Sequence, residues 1–181
     1  NSTLLNTLPS TFSNVFVDAE GTAYSTCMGK GTDLLKKHST NGTNLFKNVI
    51  ASSGAFTDVT ADSNGIIYAS DSKGYIYVYT RDGELIFSLG EKAGNNDVSG
   101  LFSSLTTIAV DNNGNIWTAD GKKGFIQSFT PTEYATTIYK ALQEYENGDY
   151  TDALKDWNYV LRLNQMSVLA HNGVAKAYYN D

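Results

Sequence analysis

DNNGNIWTADGKKGFIQSF, residues 111–129, is a near copy of DSNGIIYASDSKGYIYVY, residues 62–79. Asp62 and Asp111, Gly65 and Gly114, and Asp71 and Asp120 each stand 49 residues apart. After one inserted residue near Lys122 the match resumes, with Ile76 over Ile126 and Tyr79 over Phe129. A looser third version opens at Asp18, 44 residues before Asp62, and puts Gly21 under Gly65. Self-similarity at a period of roughly 20–50 residues marks a stacked repeat architecture.

Inside one copy the pattern is strand and turn. AFTDVTA, IIYAS, YIYVYT and ELIFSL are separated by Asn64-Gly65, Lys73-Gly74 and Asp82-Gly83. Asn-Gly and Asp-Gly between β-rich runs signal hairpins, with type I′ turns as the expected form. Four short antiparallel strands per copy, recurring head to tail, predict β-propeller blades at about 10–50, 54–92 and 101–131, the last without its fourth strand. The repeated Asp and Gly are read as turn residues. Three blades do not close a ring, so a missing fourth strand leaves the 125–130 strand as an open edge through which the chain could pair with itself.

After Pro131 the apolar period changes from two to 3.6. Tyr134, Ile138, Ala141, Leu142 and Tyr145 form one stripe; Tyr150, Ala153, Leu154, Trp157, Val160 and Leu161 a second; Leu169, Val174, Ala175, Tyr178 and Tyr179 a third. Helices are therefore expected at about 132–147, 150–164 and 167–180, which divides the chain into 1–131 and 132–181. Thr132 is the expected N-cap of the first, Gly148 its stop, and Asp149 with Asp152 a capping-box variant for the second.

Composition narrows the functional classes. The chain has 181 residues, 41% of them hydrophobic, enough to bury a core. A net charge of −6 argues against nucleic acid or anionic lipid as the main partner, because both need clustered Lys and Arg. One cysteine, Cys27, and two scattered histidines give neither an internal disulfide nor a zinc cluster. No apolar run approaches the roughly 20 residues that span a bilayer. The sequence opens without Met and stops at AKAYYND inside a helical pattern, so a piece of something longer is expected.

Ile108, Ala109, Val110, Asp111, Gly114, Ile116, Trp117, Ala119, Asp120, Ile126 and Phe129 resemble the NHL repeat, though its usual Asn-x-Arg-Ile reads Gly-Lys-Lys-Gly-Phe-Ile here. Gly148, Asp149, Tyr150, Ala153, Leu154, Trp157, Val160 and Leu161 resemble a tetratricopeptide repeat, with Gln165 in place of its terminal Pro. The order of the two resembles Gram-positive envelope proteins in which a gluconolactonase-like propeller precedes tetratricopeptide helices and a membrane region. That resemblance implies an extracellular, membrane-tethered binding or scaffold component with a protein or peptide partner; no catalytic residue of the family can be matched in this sequence, and no cofactor is expected. Any membrane contact would come through regions outside this chain.

Other chemistries compete with that implication. A lactonase-like hydrolase would need oxygen ligands converging on a divalent ion. Asp58, Asp62, Asp71, Asp111 and Asp120 supply oxygens, but are read as recurring at equivalent turns. DNNGN resembles the opening of a calcium loop and lacks the distal Glu. His38 and His171 have no recognisable nucleophile partner and are expected to be solvated. Tyr75, Tyr77 and Tyr79 share one strand face, suited to packing between blades or, as a second role, to stacking on a carbohydrate. In the helical part the groove positions of tetratricopeptide arrays fall at Leu142, Tyr145, Asn172, Lys176 and Tyr179. A purely structural spacer is the remaining alternative.

Overall fold

The computed structural model describes residues 12–27, 34–39, 41–48, 50, 52, 54–93 and 98–180. The chain divides into two compact units, Asn1–Phe129 and Thr130–Asp181. The first is β and the second is three helices.

Sheet one joins β1 (Asn14–Val17), β2 (Ala23–Thr26) and β3 (Leu35–His38) in that order. Sheet two is β4 (Phe56–Ala61), β5 (Ile67–Asp71), β6 (Ile76–Tyr79) and β7 (Leu85–Leu89). A two-residue parallel pair, β8 (Glu91–Lys92) with β9 (Leu101–Phe102), leads into sheet three: β10 (Leu105–Val110), β11 (Ile116–Asp120) and β12 (Phe125–Phe129). All neighbours within the three sheets are antiparallel. The sheets stack in a propeller-like way: β4 lies against β1 and β2, and β10 lies against β4 and β5. Sheet two has the four strands expected, and sheet three has three among the described residues.

Two expectations need correction. Sheet one was expected to have four strands, yet its described residues form three strands and a single bridge from His38 to Asn44. The Asn44 side-chain oxygen accepts from the Lys37 and Phe46 amides, so it takes up donors that a fourth strand would use. The hairpin turns are also not two-residue type I′ turns. Asp62 N–H donates to Ile66 O and Gly65 N–H to Asp62 O, with Gly65 at φ +80°. That is a three-residue loop closed by a left-handed Gly, and the Asp before it sets the register.

Alternation along the strands gives each sheet two faces. The leading face carries an apolar pair from the first strand: Val15 and Val17, Val59 and Ala61, Ile108 and Val110. The trailing face carries an aromatic from the second strand: Tyr24, Tyr68, Trp117. The main core forms where the trailing face of sheet one meets the leading face of sheet two. There Tyr24 and Leu35 pack with Val59, Ala61, Ile67 and Ala69. Burying a side chain of this size stabilises by about 1.5–3 kcal/mol.

The helical unit comprises α1 (Glu133–Asn147), α2 (Tyr150–Leu163) and α3 (Val168–Asn180). Thr132 caps α1 by accepting from Ala135 N–H, and Gly148 ends it in the left-handed region, as expected. Asp149, expected to cap α2, makes no side-chain cap bond. Its backbone N–H instead closes α1 on Glu144 O, while Asp152 pairs with Lys155 at 2.6 Å. The third stripe also differs from expectation, because α3 buries Leu169, Ala170, Gly173 and Ala177, whereas Tyr178 and Tyr179 are exposed. The cause is close approach: a Cβ on Gly173 would stand 2.3 Å from the buried Trp157 ring. Small residues, not large ones, face α2.

Candidate functional site

The repeated aspartates come first, since oxygens are what a metal or a polar ligand would need. Each uses one carboxylate oxygen to close its own turn. Oδ1 of Asp62 accepts from the Asn64 and Ile66 amides at 2.9 Å, and Oδ1 of Asp111 from those of Asn113 and Asn115 at 2.9 and 3.0 Å. Asp18 and Asp71 repeat the pattern. The second oxygen accepts from the aromatic six residues on: Tyr24 for Asp18, Tyr68 for Asp62, Tyr77 for Asp71, and the Trp117 indole for Asp111. Asp120 is satisfied by the amides of Ser103, Ser104, Lys122 and Lys123. Among the described residues no three His, Cys, Asp or Glu side chains converge.

Surroundings then set the charge. Burial holds Asp62 above the usual carboxylate range, against the Ile66 and Asn64 amides and the Tyr68 hydroxyl. Asp111 is held at about 2, chiefly by the Trp117 indole and then by Asn115. For Asp120, burial raises the value but the four amides outweigh it and leave a net lowering.

Asp58 is not a turn residue, contrary to expectation. It lies in β4 beside a bulge, 8% exposed, and joins two sheets. Its Oδ2 accepts the Thr107 hydroxyl at 2.6 Å and the Ile108 amide at 2.9 Å. Asn14 takes the same place in sheet one and donates to Thr57 O at 3.3 Å. The repeat spacing could have found this, because Asn14, Asp58 and Thr107 share one register position without sharing a residue type.

His38 is likewise not solvated. It is 6% exposed, its Nε2 lies 2.6 Å from the Ser25 hydroxyl, and burial lowers its pKa. No acidic side chain completes a triad with this pair among the hydrogen bonds of the described residues. His171, by contrast, is exposed.

The tyrosine row is brought together as a ladder. Tyr75, Tyr77 and Tyr79 stand with ring centroids 6.1 and 6.2 Å apart. Tyr79 belongs to the buried core cluster and Tyr77 packs against it, edge-on to Phe56. Tyr75 is the outermost of the three.

On the helical unit, Asn172, Lys176 and Tyr179 fall on one side of α3 at helical spacing, all exposed, with Tyr179 90% exposed. Leu142 and Tyr145 of α1 are half-buried. Asn180, one turn beyond Lys176, donates to the Tyr145 hydroxyl at 2.9 Å, which ties that end of α3 to α1. Tyr134 and Ser167 join the other ends at 3.2 Å. The five positions therefore lie on the paired α1 and α3, with Tyr145 at the end that Asn180 joins. In α2, Lys140 of α1 reaches Asp156 at 2.7 Å.

No family model matches the chain, and no curated protein does. Among solved structures it is similar to a protein of unknown function from Bacteroides caccae, at 14% identity and a TM-score of 0.50, over 67% of this chain and 43% of that one. It is also similar to a streptogramin B lyase structure, at 16% identity and a TM-score of 0.46, over 67% of this chain and 41% of the other. The chain thus spans less than half the length of either protein. At that identity the first likeness is one of fold alone, and it fits the propeller-like stacking of the three sheets.

Proposed function

We propose that the chain is a non-enzymatic binding and scaffold module in which stacked NHL-type blades carry tetratricopeptide-like helices, and that a peptide segment of a protein partner docks on the α1 and α3 face. The observation that supports this is the contrast in how polar groups are used. The repeated carboxylates spend their oxygens on their own turns, whereas α3 presents an exposed Tyr, Lys and Asn on one side. Aromatic anchors beside a cation are the kind of surface that holds an extended peptide bearing an apolar residue and a carboxylate. The order of the repeats, read with the sequence resemblance, favours an exported protein held at the cell envelope.

A displayed peptide library panned on the full chain tests the reading. Recovered peptides should lose about tenfold in affinity on Tyr179→Ala and a similar amount on Lys176→Glu. Enrichment of no peptide, or of peptides indifferent to both substitutions, sinks it. Turnover of a lactone on addition of calcium would put a hydrolase in its place.

A further inference from the structure

The molecule contains one kind of sheet-to-sheet interface twice, and exposes both halves of a third. Within the first unit the trailing face of one sheet packs on the leading face of the next. The aromatic of the trailing face is accordingly 1% exposed at Tyr24 and 0% at Tyr68. The apolar pair of the leading face is 2% and 7% exposed at Val59 and Ala61, and Ile108 in sheet three is 4%. Sheet three ends the series with Trp117, the register equivalent of Tyr68, 44% exposed and Ile126 on the same face 73% exposed. Ala109, opposite Trp117 in the ladder, is exposed too. Sheet one begins the series with Val15 and Val17, the equivalents of Val59 and Ala61, 65% and 56% exposed.

We infer that these two faces are complementary halves of one interface, and that a second copy of the chain docks head to tail so that the Trp117 face of one copy covers the Val15 and Val17 face of the other. Continuity with the two internal interfaces carries this. At these register positions Tyr24, Tyr68, Val59, Ala61 and Ile108 are buried where a neighbouring sheet lies over them, and Val110 is partly buried. A trailing aromatic that hydrogen-bonds its own turn Asp is shaped to sit beneath a first strand, as Tyr68 does beneath β10. Because each copy carries one half of each kind, the contact is heterologous, and it either closes into a pair or propagates. It stands independently of the peptide reading, which concerns the other unit.

Sedimentation velocity of the full chain, over a range from about 1 to about 100 µM, tests it. The native chain should form dimers or longer species as concentration rises, and the emission of Trp117 should shift to the blue while that of buried Trp157 stays fixed. Trp117→Lys and Val17→Lys should each weaken association at least about tenfold. Mixing the two variants should restore it, because the mixture contains one intact half from each partner. Ile126→Lys, at the more exposed position, supplies a milder second variant should Trp117→Lys fail to fold. A chain that sediments as a monomer throughout overturns the inference, as does association that the substitutions leave unchanged or that mixing does not restore.

Discussion

Tyr68 and Trp117 hold the same place in sheets two and three, donate to the same turn aspartate of their own repeat, and end in opposite surroundings. Tyr68 is sealed beneath β10, whereas Trp117 is 44% exposed. The local wording of the repeat, Asp with Gly three residues later, is enough to build the turn in both. What the turn is worth depends on what lies over it. The same sentence therefore gives two energetics, and paired substitutions in the two sheets separate local grammar from packing.

The largest difference is expected at the position that joins the sheets. Asp58→Ala leaves the buried Ile108 amide without its acceptor and releases the Thr107 hydroxyl, and should cost about 3 kcal/mol of unfolding free energy. Thr107→Ala, at the same register one sheet on, removes a single donor from an exposed residue and should cost about 1 kcal/mol or less. Urea unfolding of the two variants reads the difference, and equal losses would mean that the bridge is no stronger than a surface contact.

Next come the glycines of the second hairpin. Gly74 sits at φ +85° with Glu91 O only 2.8 Å from where a Cβ would stand, whereas Gly124 sits at φ +69° with nothing within 4 Å. Both substitutions by Ala meet the left-handed penalty of about 1–2 kcal/mol, and only Gly74→Ala meets a backbone clash as well. Gly74→Ala should therefore lower the melting temperature distinctly more. A smaller effect is expected for Tyr68→Phe, about 1 kcal/mol for a buried hydroxyl, against a few tenths for Trp117→Phe at the open face.

How far the sequence foretold this follows from which forces act locally. The hairpins between Phe56 and Leu89, the lone inserted residue before Gly124 and the Thr132 and Gly148 caps were readable, because each depends on residues within one turn of chain. Long-range pairings were not. Asp58 reads as one more acidic residue until Thr107, 49 positions later, is placed beside it. Gly173 looks like a weak point in α3 until Trp157 of α2 occupies the space that a side chain would need. Of the binding positions, Tyr179 reads as part of an apolar stripe until Gly173 and Trp157 turn the small residues of α3 inward, and the role of Tyr77 and Tyr79 in the core depended on Phe56 and the sheet before them.

The subtlest contrast lies in the two turn carboxylates. Asp111 titrates at about 2, below the ordinary value of 3.8, so its contribution to stability is present above pH 3.8 and is lost as pH falls toward 2. Asp62 is raised above 3.8 by burial, so the folded state takes up its proton first and gains stability, relative to the unfolded chain, as pH falls through that raised value. Carboxylate-carbon NMR titration of the full chain should find Asp62 titrating above 3.8 and Asp111 near 2, and the reverse order would break the comparison. Trp117→Phe removes the indole donor and should move Asp111 upward while leaving Asp62 unmoved. Docking of another sheet over Trp117 should also move Asp111 upward, toward Asp62, because it would replace water with the same kind of cover that Tyr68 already has.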